Sequence, residues 1–169
     1  MTLSTGPIWR PVVGYEGLYE VSSWGSVRSL DRPSRNWQGP TVKRGLILKM
    51  PINHANGGYR EVGLYSTQGD SRTWKVHQLV CAAFRGSCPP GQECRHLDGD
   101  SLNCCSTNLA WGTRSENRRD TVDHGRDHNA SKKICKRGHP LSSNNVRIEN
   151  SGSRRCLPCE RDRDRERIR

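Results

Sequence analysis

The chain is 169 residues and 19.1 kDa, room for one ordinary domain or a small domain with an appendage. Apolar residues make up 31%, with one Phe and two Met, which excludes a large all-helical bundle, and no run approaches the roughly 20 apolar residues needed to cross a bilayer. The net charge of +11 points to a polyanionic partner, nucleic acid before membrane surface, because no amphipathic basic helix with a broad aromatic face is visible. Met1–Pro7 lacks the basic-then-apolar pattern of an export signal, so the expected compartment is a reducing cytoplasm. There, eight cysteines read as metal ligands rather than disulfides.

Tyr15–Val21 and Ser26–Leu30 read as a short hairpin around Ser22-Ser23-Trp24-Gly25. Residues 31–45, rich in Pro, Gly, Ser and Arg, read as loop. Leu46–Met50 and Tyr59–Tyr65 are expected as strands, with Asn56-Gly57-Gly58 supplying left-handed turn residues between them. Arg72–Val76 reads as a further strand. The period then changes, and His77–Phe84 is helix-like, ending before Gly86 and Pro89-Pro90. His77 reads as a structural residue joining sheet to helix, and Cys81 as core. Glu93–Asp100 is a strand running into a turn, and Thr107–Gly112 a second strand. Thr113-Arg114-Ser115-Glu116 fits a capping box for a helix from about Ser115 to His124, closed by Gly125. Charge is uneven: residues 1–130 carry net +4 and residues 131–169 net +7, which sets a boundary near Asn129-Ala130-Ser131.

The strand-loop-strand-helix unit resembles the HNH endonuclease domain, the ββα-metal fold of phage and intron-encoded nucleases. The match is carried by Val76-His77-Gln78-Leu79-Val80, Arg95-His96-Leu97-Asp98-Gly99-Asp100, Asn108-Leu109-Ala110-Trp111 and Arg114-Ser115-Glu116-Asn117. Upstream, Trp9–Val21 and Gly25–Leu30 resemble the NUMOD4-like DNA-binding motif that often precedes such nucleases. The resemblance, which covers roughly residues 8–125, implies an α+β chain with a small antiparallel β-sheet module over 8–76 and a ββα-metal catalytic unit over 77–128, and the charge and cysteine pattern adds a zinc-binding basic tail over 131–169.

It also implies roles. His96 is the general base, a role its near-neutral unperturbed pKa suits. Asn108, 12 residues on, is the middle Asn that braces the inter-strand loop. Asn117, 21 residues after His96, is the ligand of a divalent cation, Mg²⁺ or Mn²⁺. One position departs from the pattern. The residue before the base is commonly Asp, Asn or His and helps hold the metal, but here it is Arg95, which cannot ligate a cation. His124, seven residues after Asn117 and so on the same helix face, is the candidate second ligand, with Asp120 and Asp98 behind it.

The tail carries a second metal site. Cys135-x3-His139 and Cys156-x2-Cys159 supply three thiolates and one imidazole, the closed shell of structural zinc in a ribbon- or knuckle-like segment. So short a segment cannot bury a core, so the metal must stabilise it. Val146–Ile148 is a possible strand, and Glu160–Arg169 reads either as a solvated helix or as a phosphate-tracking one. Candidate DNA contacts are Arg28, Arg32, Arg35, Lys43, Arg44, Lys49, Arg60, Arg95 and Arg114, interleaved with Trp24, Trp37 and Tyr59.

The expected function is a metal-dependent DNA endonuclease of the phage or mobile-element (homing) type. It would act on double-stranded DNA in the cytoplasm of a bacterial host, as a monomer or a homodimer. Two alternatives stay open. One is a zinc-containing DNA-binding protein with a degenerate HNH centre, and the other a phage packaging accessory active only with partner proteins.

Overall fold

The computed structural model describes residues 6–149 and 153–167. The leaderless reading of Met1–Thr5 and the last two residues of the charged run lie outside them. The chain divides into two compact units, residues 1–118 and 119–169.

In the first unit, β1 (Trp9–Pro11), β2 (Tyr19–Ser22) and β3 (Val27–Ser29) form an antiparallel sheet in that order. Alternation puts Tyr19, Val21 and Val27 into the core. The turn between β2 and β3 holds Gly25 at φ +84°, and a Cβ there would stand 2.6 Å from the Cβ of Cys104, so only glycine fits. The Ser106 N–H donates to the Ser23 carbonyl beside it at 2.8 Å. A loop from the second half of the unit is thus seated on this turn.

Residues 31–45 are not loop. β4 (Arg32–Asn36) and β5 (Gly39–Lys43) pair as a two-stranded ribbon. The ribbon lacks an apolar face and so an alternation signal, and with one partner per strand it tolerates Pro33 and Pro40. Leu46–Met50 in turn is not a strand. It runs along the edge of β3, with Ser29 N–H to Leu46 O at 2.9 Å and Leu48 N–H to Val27 O at 2.8 Å. The partner of β7 (Tyr59–Tyr65) on that side is β6 (Ile52–Asn53), and β8 (Ser71–Lys75) pairs on the other. The left-handed residues of the β6–β7 turn are Gly57 and Gly58. Asn56 ends a short 3-10 turn, with no positive φ.

Helix α1 (Val76–Arg85) buries Val76, His77, Leu79, Val80 and Cys81 on one face. They join Val12, Val21 and Val27 of the first sheet, Val62 and Leu64 of the second, and Leu109 from farther along in one core. Full burial of each such Val or Leu is worth about 1.5–3 kcal/mol. The hairpin β9 (Gln92–His96) and β10 (Leu109–Thr113) pairs Leu109 with His96, Ala110 with Arg95 and Gly112 with Glu93. The Arg85 guanidinium ties α1 to it through the carbonyls of Leu109 and Ser106, at 3.2 and 3.1 Å. Helix α2 (Arg114–Asp123) follows, and the unit boundary falls within it. Its start is the expected capping box: Glu116 accepts from the Thr113 N–H at 2.7 Å, and the Glu116 N–H donates to Thr113 Oγ1 at 3.3 Å.

The second unit contains α3 (His128–Ser131), capped by Asp127 through the N–H groups of Asn129 and Ala130. A hairpin of β11 (Val146–Ile148) and β12 (Arg154–Cys156) runs into α4 (Leu157–Arg167). The chain is α+β, built of small antiparallel sheets with separate helices.

Candidate active site

His96 ends β9 and is 9% exposed. Two rings close on it. The His77 ring, from the first turn of α1, lies 4.8 Å away edge-on, and the Tyr59 ring, from β7, lies 6.0 Å away and nearly parallel at 23°. Tyr59 also touches His77 at 4.7 Å, and the Lys75 ammonium sits 4.3 Å from the Tyr59 ring centre. His96 Nε2 and His77 Nδ1 are buried with no hydrogen-bond partner among the described residues. Burial disfavours the charged imidazoles. It drives His77 down to about 3, with the neighbouring His96 and Lys75 adding to it. It holds His96 below the ordinary histidine value, against the opposing pull of Asp98 and Asp100. His96 is therefore neutral at physiological pH and able to accept a proton.

The loop after His96 is braced by Asn108. Its Nδ2 donates to Asp98 Oδ1 and to the Asn103 carbonyl, both at 2.9 Å, and its Oδ1 accepts from the Asp98 N–H at 3.0 Å. The Asp98 carboxylate also accepts from Asn103 Nδ2 at 2.7 Å and from the Asp100 N–H at 2.8 Å, so it is engaged in holding the loop. Asn117, in the second turn of α2, donates from Nδ2 to Glu93 Oε1 at 2.5 Å. His124 lies one residue past the end of α2 as an exposed side chain in the second unit. Asp120, on α2, belongs to that unit too.

The basic residues nominated for DNA divide in two. Lys43, Lys49, Arg35 and Arg114 are exposed. Others are engaged within the protein. Arg28 pairs with Glu20 at 2.6 Å beneath the Trp9 ring, and Arg44 pairs with Asp31 at 2.7 Å. Arg60 buries its Nε, and Arg32 lies 5.8 Å from the Tyr19 ring. Arg95 is only 15% exposed. Trp37, at the turn of the β4–β5 ribbon, is 91% exposed, whereas Tyr59 is turned inward against His96. Sequence reasoning missed this use of Tyr59, and it missed Glu93. The period-2 relation of Glu93 to Arg95 along β9 was the available signal.

In the second unit Cys135, His139, Cys156 and Cys159 bring their ligand atoms within 4.8 Å of one another. His139 Nδ1 is 3.2 Å from Cys159 Sγ, 3.6 Å from Cys135 Sγ and 3.8 Å from Cys156 Sγ, and the Cys135 and Cys159 sulfurs are 3.6 Å apart. Ligands at about 2.3 Å (S) and 2.0 Å (N) around one tetrahedral ion stand about 3.5–3.8 Å apart, so the four residues fit a metal. Gly138 at φ +82° turns His139 back toward Cys135, whose N–H donates to the His139 carbonyl at 2.9 Å. Burial opposes ionisation of Cys135, but the N–H groups of Arg137 and His139 together with the Cys159 and Cys156 side chains outweigh it and hold the thiol at about 6, so a thiolate is available.

Residues 8–65 match the NUMOD4 motif, and residues 75–119 match the HNH endonuclease family. The chain thus carries a NUMOD4 segment followed by an HNH endonuclease segment. It is 34% identical over 117 residues to DNA endonuclease I-HmuI of Bacillus phage SP01, covering 69% of this chain and 59% of that protein. It is 30% identical over 121 residues to the uncharacterized HNH endonuclease L247 of Acanthamoeba polyphaga mimivirus, 69% of this chain and 26% of that one. A solved structure described as "DNA binding and cleavage by the HNH homing endonuclease I-HmuI" superposes with a TM-score of 0.56 at 33% identity, covering 70% of this chain and 60% of that one. The chain spans about three-fifths of the phage relative.

Proposed function

We propose that this chain is a metal-dependent DNA endonuclease of the phage or mobile-element type, acting on double-stranded DNA in a bacterial host cytoplasm. The observation that carries the reading is the neutral, ring-enclosed imidazole of His96, beside a loop locked by Asn108. Its likeness to I-HmuI, a homing endonuclease that binds and cleaves DNA, supports it.

In this reading residues 8–76 are the DNA-binding module, 77–128 the catalytic unit and 131–169 a zinc-stabilised basic tail. His96 takes the proton from a water whose oxygen bonds to the phosphorus as the P–O3′ bond breaks, and the departing 3′ oxygen takes a proton from solvent, giving 5′-phosphate and 3′-hydroxyl ends. Asn117 would hold a divalent cation, Mg²⁺ or Mn²⁺, through its amide oxygen, and that ion would supply stabilisation of the departing oxyanion. Asn108 keeps His96 and the strands in register without touching substrate. Lys43, Lys49, Arg35 and Arg114 neutralise phosphates, with little readout of sequence. Cys135, His139, Cys156 and Cys159 hold a structural Zn²⁺.

The test is supercoiled plasmid with Mg²⁺ or Mn²⁺, beside His96→Ala and a chelator control. Nicking that requires both His96 and the metal supports the reading. Tight binding without cutting in either metal overturns it.

A further inference from the structure

Arg95 leaves the cation site short of a ligand, and the structure accounts for where its side chain goes. The guanidinium lies across the backbone of Gly112, where a Cβ would stand 2.7 Å from its Cδ and Nε. Its Nη1 is 3.8 Å from Glu116 Oε1. Glu116 is held in turn by the Thr113 N–H and hydroxyl, at 2.7 and 2.9 Å. The charge at position 95 is thus balanced by the carboxylate of the α2 capping box. Two residues upstream, on the same face of β9, stands Glu93. Its carboxylate oxygen is 2.5 Å from the Asn117 side-chain amide.

We propose that Glu93 is the carboxylate ligand of the divalent cation, paired with Asn117, in place of the acidic residue missing before His96. The proposal rests on the endonuclease reading above and completes its metal site. Mg²⁺ and Mn²⁺ prefer oxygen ligands, and adjacent ligands at about 2.1 Å around an octahedral ion lie about 3 Å apart. The Asn117 amide and the Glu93 carboxylate already meet within that separation. A half-turn of the amide exchanges Nδ2 for Oδ1, and the assignment of the two atoms follows only from the hydrogen bond made. Glu93 is exposed and Asn117 half-buried, which leaves room for the waters that such ions keep. Glu93 and Asn117 belong to the same unit, whereas His124 belongs to the other.

The test is Mn²⁺ binding to the zinc-loaded full chain, read by loss of the free-ion electron paramagnetic resonance signal, with plasmid nicking measured in parallel. Glu93→Gln is nearly isosteric and keeps an acceptor for Asn117. It is expected to weaken Mn²⁺ binding at least tenfold, as is Asn117→Ala, while His96→Ala binds Mn²⁺ like the wild type and does not nick. In the wild-type chain, Mn²⁺ should broaden the amide resonances of Glu93, Cys94 and Asn117 first, a readout that needs no variant to fold. If Asn117→Ala weakens binding and Glu93→Gln does not, Glu93 is not a ligand and the endonuclease reading stands. Broadening centred on His124 overturns the proposal in the same way. Cleavage that survives chelation, or a wild type that neither binds Mn²⁺ nor cuts, overturns both.

Discussion

The phenol ring of Tyr59 lies 6.0 Å from the imidazole of His96, tilted by only 23°, although one belongs to the β-rich N-terminal segment and the other to the β9–β10 hairpin. The contact makes the first segment a wall of the His96 site. Tyr59 acts on His96 by packing, so the ring matters and the hydroxyl does not. Tyr59→Ala is expected to lower the single-turnover nicking rate about 10- to 100-fold, the scale of a misplaced catalytic group. Tyr59→Phe should stay within about twofold of wild type. Affinity for DNA, measured in Ca²⁺ to block cutting, should change little in either. A loss confined to affinity would make Tyr59 a DNA contact instead.

The proton-accepting form of His96 should persist to lower pH than in an ordinary histidine. Burial sets this direction, with Asp98 and Asp100 opposing it. The acid limb of the nicking rate is therefore expected below pH 6.5, rising to a plateau by neutrality. Initial rates in Mn²⁺ from pH 5 to 8 check it. Replacing Asp98 would remove one of the groups that raise the His96 value, and Asp98→Asn should shift the limb further down. An upward shift would contradict the assignment.

His77 links pH to stability. Its folded value of about 3 lies below the unfolded 6.5, so between these values the unfolded chain binds more protons and stability rises with pH. The contribution is complete above pH 6.5 and is lost as the pH falls toward 3. For this one group the loss between pH 7 and pH 5 is about 2 kcal/mol. Urea unfolding of the first unit at the two pH values should show it. In His77→Phe, which fills the site without a titrating group, the slope in that window should largely vanish.

What the sequence revealed of the site followed from spacing. His96, Asn108 and Asn117 stand at intervals that one hairpin and one helix impose, and Cys135, His139, Cys156 and Cys159 form two short half-sites whose meeting in space was legible from the spacing. Tyr59 and Glu93 were not. The first reaches His96 through a packing of sheets that no local period encodes. The second meets Asn117 through a side-chain contact between β9 and α2, a relation no local spacing encodes. The β4–β5 ribbon was missed for a different reason: a strand pair with no buried face leaves no hydrophobic alternation. Leu46–Met50 shows the converse, an apolar run that only flanks a sheet edge.

The second unit is expected to depend for its stability on the metal that Cys135, His139, Cys156 and Cys159 would hold. Among its described residues no apolar side chain is buried; the one buried side chain is that of Asp127. With no core to offset chain entropy, the order of the β11–β12 hairpin and the start of α4 is expected to come from ligation. Removing the metal with a strong chelator should abolish amide protection over residues 132–160. It should leave the first unit, with its core around Leu64 and Leu109, protected as before. Cys156→Ser should do the same without a chelator. Substituting Co²⁺ should produce the intense visible bands of a tetrahedral thiolate site, and these should weaken in Cys159→Ser. Protection that survives both chelation and Cys156→Ser would show that the tail folds on backbone and side-chain hydrogen bonds alone, and the fit of the four ligand atoms would then carry no structural role.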